Sequence, residues 1–208
     1  MDLAEQLIQS DILKTSIIIE AFKRIKRSDF ILSLNRGVAD LDVPQEIGYG
    51  QTNSQPSTVA FMLELCQPKR GDRVLDIGSG SGWTTALFSE IVGPEGKIYG
   101  LERINELKEF GEQNAEKYKF VSSGRAVFMT ADGSKGLPEF APYDIIHVGA
   151  ASAELPKQLF SQIRIGGRIV VPVGIDRQEI YIIERKTQTD YQTKKFPGFI
   201  FVPLIEER

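Results

Sequence analysis

Apolar residues recur at three- and four-residue steps through Leu3, Leu7, Ile8, Ile12, Leu13, Ile17, Ile18, Ala21, Phe22, Ile25 and Phe30, with no Pro or Gly among them. That spacing predicts one or two amphipathic helices within 2–34. Residues 37–52 carry Asp40, Asp42, Pro44, Gly48 and Gly50, a loop composition. Pro56 then opens an apolar run as a proline in a first helical turn does, predicting a short helix over 56–66. In the middle of the chain β-rich runs at 73–77, 97–101, 126–130 and 144–148 alternate with helical patterns at 84–92 and 105–119. Strands separated this way pair in parallel, in a doubly wound α/β sheet with helices on both faces. A further helix is expected at 155–163, and Gly166-Gly167 is expected to turn the chain into a strand at 168–173. Residues 179–185, a polar turn over 186–195 and 199–204 read as an antiparallel hairpin closing the sheet. The pattern thus predicts a helical N-terminal extension (1–55), an α/β core (56–175) and a C-terminal hairpin (176–208).

A chain of 208 residues suits a single domain. Its 41% hydrophobic and 25% charged residues are those of a folded globular protein. The net charge of −3 gives no global attraction to nucleic acid or to anionic membranes. The one basic run, Lys23-Arg24-Ile25-Lys26-Arg27, reads as the solvated face of a helix. With one cysteine (Cys66) and one histidine (His147), a cysteine-built metal site has no ligand set, and no metal is expected. Cys66 reads as a small buried residue and His147, inside the apolar run Ile-Ile-His-Val-Gly, as a packed strand histidine. The N-terminus lacks the apolar core of a secretory signal, and no segment reaches the ~20 apolar residues of a membrane helix. A cytoplasmic protein is the expectation.

The candidate chemistry starts at Asp76-Ile77-Gly78-Ser79-Gly80-Ser81-Gly82, between a predicted strand and a predicted helix. There a glycine loop lets the backbone approach a nucleotide. A dinucleotide fingerprint would place its third glycine at 83, where this chain has Trp83, and no Gly-Lys-Ser/Thr follows for a triphosphate. Glycines at 78, 80 and 82 favour S-adenosylmethionine over NAD. Glu102 ends the next strand, 20 residues past Gly82, where a carboxylate accepts both ribose hydroxyls; its bland alternative is a solvated strand-end Glu. Asp132-Gly133 ends the third strand, with Asp132 placed to accept the adenine amino hydrogens and Gly133 to let the ring approach; alternatively it is a simple Asp-Gly turn.

These residues resemble the Rossmann-like class I S-adenosylmethionine-dependent methyltransferases. The segment from Gly48 through Gln51-Thr52-Asn53-Ser54-Gln55-Pro56 narrows the match, with Ala131-Asp132-Gly133, Ala141-Pro142-Tyr143-Asp144, Val148-Gly149-Ala150-Ala151, Pro172-Val173-Gly174 and Phe201-Val202-Pro203-Leu204 following in order. Together they resemble the protein-L-isoaspartate O-methyltransferase family along essentially the whole chain. The resemblance implies methyl transfer from S-adenosyl-L-methionine, leaving S-adenosyl-L-homocysteine. The acceptor is the free carboxylate of L-isoaspartyl, or D-aspartyl, residues in damaged proteins and peptides. The ester then collapses to a succinimide whose hydrolysis restores some aspartate. It further implies that Ser54 orients the acceptor carboxylate and that Gln51 and Thr52 shape a loop over the cofactor. Such an enzyme is expected to act as a monomer, without nucleic acid or membrane.

A carboxylate is ionised at neutral pH and needs no base, so a site poor in His and Cys suits this chemistry. Small, apolar Val148, Gly149, Ala150 and Ala151 at a strand tip are expected to form a dry pocket. Locally, Ser54 also reads as a helix cap before Pro56. Asn53 stands where the family usually has an aliphatic residue, and Trp83 also departs from its usual residues. These two leave open a different acceptor, a small carboxylate or a nucleic acid. A third possibility is a cofactor-binding scaffold without turnover.

Overall fold

The structure, a computed structural model, describes residues 2–205; the predicted unit's ends, residues 1 and 206–208, lie outside the described residues. A short antiparallel ribbon, β1 (Gln45–Gly48) and β2 (Gln51–Asn53), stands apart from the main sheet. The main sheet holds parallel β3 (Arg73–Ile77), β4 (Lys97–Glu102), β5 (Ala126–Thr130), β6 (Tyr143–Val148) and β7 (Ile163–Val173). Antiparallel β8 (Gln178–Arg185) and β9 (Tyr191–Phe199) complete it, in the order β5-β4-β3-β6-β7-β8-β9. From β3 the chain winds outward through β4 and β5, then returns to the other side of β3 as β6. Such a reversal opens a crevice beyond the carboxyl ends of the two central strands.

The α-helices are α1 (Leu3–Gln9), α2 (Ser16–Arg24), α3 (Pro56–Cys66), α4 (Trp83–Val92) and α5 (Asn105–Glu116). Asp2 and Glu5 close a capping box at the start of α1, and Pro56 occupies the first turn of α3. All five helices contribute buried side chains to one cluster with Val74, Ile98, Ile145 and Val170 on one sheet face. The opposite face carries Leu75, Ile77, Tyr99, Ile146 and Ile169. Its second layer consists of 3-10 turns, at Gly133–Lys135, Pro138–Phe140 and Lys157–Ser161, and not of longer helices.

Four local expectations change. The helix expected at 155–163 is one 3-10 turn, because Ile163 is already paired with Tyr143 as β7 begins. Gly166-Gly167 lies inside β7, at an irregularity in its register with β6, and not in a turn before it. The hairpin's second strand is Tyr191–Phe199, with a tight turn in which the Lys186 N–H donates to the Asp190 carbonyl. Its polar residues belong to an outer edge strand, which needs no apolar alternation. Residues 200–205 are thereby released to run back over the crevice, where Pro203 bridges Ala151. Lastly, the expected 37–52 loop contains the β1–β2 ribbon, whose tip Gly48, Tyr49 and Gly50 sits at φ 96°, 55° and 69°.

Candidate active site

The crevice is a cleft at the tips of β3, β4 and β6. Gly78 and Gly149 end β3 and β6 so close together that a Cβ on Gly149 would lie 3.1 Å from the Gly78 carbonyl oxygen. Gly78 and Ser79 donate their N–H groups to the Leu101 carbonyl, anchoring the glycine loop to β4. The ribbon covers this loop: Ile47 Cδ1 lies 3.3 Å from where a Gly80 Cβ would be.

Of the predicted residues, Gln51, Thr52, Asn53, Ser54, Gly78, Ser79, Gly80, Glu102, Gly133, Gly149 and Ala150 line this one cleft. Glu102 is buried; its Oε2 accepts the Gly80 N–H and its Oε1 the Ile104 N–H, each at 3.0 Å. An ionised carboxylate oxygen has a second lone pair, so both retain capacity for a ligand hydroxyl. Gly133 packs so tightly on Ile77 that any Cβ would collide with it. Ser79 Oγ is buried with no hydrogen-bond partner among the described residues.

The remaining predicted residues support the cleft from outside its lining. Asp76 is fully buried; His147 Nδ1 approaches its Oδ1 at 2.7 Å, and Thr85 Oγ1 donates to its Oδ2 at 2.6 Å. Asp76 Oδ1 accepts a hydrogen bond from His147 Nδ1, which orients the ring; His147 itself lines the cleft and meets Phe88 edge-on. His147 is thus a satisfied strand histidine, and also part of the site wall. Gly82 sits where the loop passes α5. Asp132 Oδ1 accepts from the backbone and hydroxyl of Ser134, so this carboxylate is held in a turn. Val148 belongs to the core and Ala151 pairs with the returning C-terminal segment.

Ser54 lies between β2 and α3, half-buried on the cleft. It does not cap α3: Gln55 holds that position without a side-chain bond, and the Ser57 N–H is taken by Asp42. Residues the sequence reading did not place in the cleft are Val59 and Met62 of α3, and the stretch Phe201 to Ile205. Val59, Met62 and Phe201 to Ile205 include apolar side chains that line the cleft. Arg27, read as solvated, is 1% exposed. Helix α2 stops at Arg24, so Arg27 falls in a 3-10 turn (Arg27–Asp29) that points inward. Cys66 is buried, as expected, and burial pushes its thiol well above the usual range. Among the described residues no group of three or more His, Cys, Asp or Glu side chains is arranged to hold a metal ion. Nor is any helix among them long and apolar enough to cross a membrane.

Comparison with known proteins points the same way. The model of the protein-L-isoaspartate(D-aspartate) O-methyltransferase family matches residues 1–208. A protein-L-isoaspartate O-methyltransferase of Aeropyrum pernix is 42% identical over 206 residues, covering 99% of this chain and 78% of that protein. Another, of Ignicoccus hospitalis, is 41% identical over 208 residues, covering 99% and 97%. A Plasmodium falciparum crystal structure in complex with S-adenosyl-L-homocysteine shares the fold with a TM-score of 0.87, at 24% identity over 99% of this chain and 97% of that one. With a whole-length family match, relatives above 40% identity and the glycine loop, Glu102 and Ser54 on one cleft, this chain belongs to the protein-L-isoaspartate(D-aspartate) O-methyltransferase family.

Proposed function

We propose that the cleft holds S-adenosyl-L-methionine along Gly78, Ser79, Gly80, Glu102 and Gly133, and that Ser54 orients the isoaspartyl carboxylate that receives the methyl group. The observation that carries this reading is the position of Ser54 on the cofactor cleft with the capping role already taken by Asp42. When bound, the cofactor supplies a methyl group activated by a sulfonium. The protein's part is positioning and exclusion of water. The acceptor is an anion at neutral pH and attacks without a base; the Ser54 hydroxyl donates to one of its oxygens and leaves the other aimed along the cleft. Attack neutralises the carboxylate against the sulfonium, so water, which favours the separated charges, slows the step. Val59, Met62, Ala150 and Leu204 line the cleft with apolar surface suited to exclude it. Gln51 and Thr52, on the covering ribbon, close the site from above. His147 serves as wall and spacer; the reaction asks no proton of it.

The same reading has the protein act as a cytoplasmic monomer on damaged polypeptides, with neither nucleic acid nor membrane as partner; a net charge of −3 supports the last of these, since it gives no global attraction to polyanions. The decisive assay compares methyl transfer to a peptide pair carrying L-isoaspartate or L-aspartate at one position. Base-labile methyl ester on the isoaspartyl peptide alone is the expected result. Ester on neither, with S-adenosyl-L-homocysteine binding shown separately, overturns the acceptor assignment.

A further inference from the structure

The two departures in the sequence, Asn53 and Trp83, meet on one buried side chain. Arg27 Nε donates to Asn53 Oδ1 at 2.8 Å. Its Nη1 donates to the carbonyls of Ala39 and Leu41, and its Nη2 to those of Val43, Asn53 and Ser54, at 2.8–3.3 Å. The guanidinium also lies 5.4 Å over the Trp83 ring. Among the described residues Arg27 forms no ion pair; burial lowers its pKa to about 10, and Asp40 and Asp42 oppose that shift, so it is charged at neutral pH. One cation therefore gathers the 39–54 segment by its carbonyl groups. Asn53 turns that clasp toward the cofactor. Because its Oδ1 faces a pure donor, its Nδ2 is the outward atom, and it donates to Ser81 Oγ in the glycine loop at 3.0 Å. The Ser81 carbonyl in turn accepts from Asn114 of α5 at 3.1 Å. An aliphatic residue at 53 makes neither side-chain bond, so the glycine loop and the acceptor segment would touch without being tied.

We infer that Asn53 is a positioning residue that couples the two halves of the site: fixing the glycine loop with cofactor fixes, through Ser81 and Asn53, the segment that carries Ser54. The inference rests on the proposed roles of the glycine loop and Ser54. By linkage the coupling runs both ways, and acceptor and cofactor each tighten the other's binding.

The test is hydrogen exchange of the full chain with and without S-adenosyl-L-homocysteine, each variant at a saturating concentration. In the wild type the ligand is expected to slow amide exchange across 39–54 by about fivefold or more, the lower range of measured couplings. Ser81→Ala, which deletes the acceptor, and Asn53→Ala, which removes the amide, should each abolish that ligand-induced change. Ser81→Thr, which keeps a hydroxyl, should restore it. A purely structural bond would shift exchange equally in free and bound protein. An equal ligand effect in wild type and Ser81→Ala, or no effect on 39–54 in the wild type, overturns the inference. The readout involves no acceptor, so it separates from the peptide assay: failure to methylate isoaspartyl peptide removes the acceptor reading and leaves the coupling to stand or fall on exchange.

Discussion

Gly82 and Gly111 meet backbone to backbone: a Cβ on Gly82 would lie 2.6 Å from the Gly111 carbonyl oxygen, and one on Gly111 2.8 Å from that of Gly80. The glycine loop is therefore shaped from below, by α5, as well as from above by Ile47 of the β1–β2 ribbon. Gly82 also sits at φ +84°, so alanine there adds backbone strain to the collision. Gly82→Ala should cost roughly 2–4 kcal/mol of stability, combining a left-handed alanine with overpacking. Gly50→Ala has φ +69° but open space around its Cβ, and should cost only about 1 kcal/mol. Urea titration of both variants checks this, and equal losses would mean that the contact with α5 gives way freely.

Asp42 and Ser54 offer a separation of structure from chemistry. Asp42 Oδ1 accepts the Ser57 N–H at 2.8 Å and its Oδ2 the Gln55 side chain at 3.1 Å, so the N-terminus of α3 is held from 15 residues upstream. Asp42→Ala should lower stability by about 1 kcal/mol, the usual worth of a cap. Ser54→Ala should leave the melting temperature alone and lower kcat/KM for an isoaspartyl peptide by about 10- to 100-fold, the loss of one hydrogen bond to a charged acceptor. If Ser54→Ala melts early and methylates normally, the roles are exchanged.

What the sequence made readable was local. Pro56 marks a helix start through its own ring, and the glycines from 78 to 82 mark a loop between strand and helix through backbone freedom that no neighbour needs to supply. Glu102 follows at a spacing set by one strand-helix-strand unit. Arg27 shows the opposite case. Its neighbours Lys23, Arg24 and Lys26 are charged, and its burial depends on carbonyl groups at 39, 41, 43, 53 and 54 that gather around it only in the folded chain. The same holds for Tyr191–Phe199, a strand by pairing with β8 and not by its own polar sequence. Asp76 and Asp132 were legible as residues at strand tips, but which way each carboxylate turns was decided by His147, Thr85 and Ser134.

Tyr118 gives the fold a pH signature. Its hydroxyl donates to Asp29 Oδ2 at 2.8 Å and accepts the Lys26 N–H at 2.9 Å, tying the end of α5 to the turn that carries Arg27. Burial, above all, pushes its pKa up to about 12. Between pH 10 and 12 the unfolded chain has released this proton while the folded chain keeps it, so the free energy of unfolding falls as pH rises. The contribution is complete below about pH 10 and gone above about pH 12. Wild type should therefore lose more stability than Tyr118→Phe across that window, measured by urea titration at pH 9, 11 and 12. Parallel curves would place the hydroxyl in water.

Glu102 is the sharpest test of the cofactor end. Both its oxygens already hold backbone N–H groups, from the glycine loop and from Ile104 at the start of α5, so the carboxylate is fixed before any ligand arrives. A preset acceptor pair loses little freedom on binding a diol, and its removal should fall on ligand affinity more than on chemistry. Glu102→Ala should weaken S-adenosyl-L-homocysteine binding by about 10- to 100-fold, one to two hydrogen bonds to a charged group. Glu102→Gln should do nearly as much, because its amide nitrogen must face one of the two backbone donors. Trp83, the one tryptophan of the chain and part of the cleft wall, reports binding by fluorescence. At saturating cofactor the turnover of Glu102→Ala should recover most of its loss. Wild-type affinity in that variant would reduce Glu102 to a strap across the glycine loop, and the ribose would need another partner.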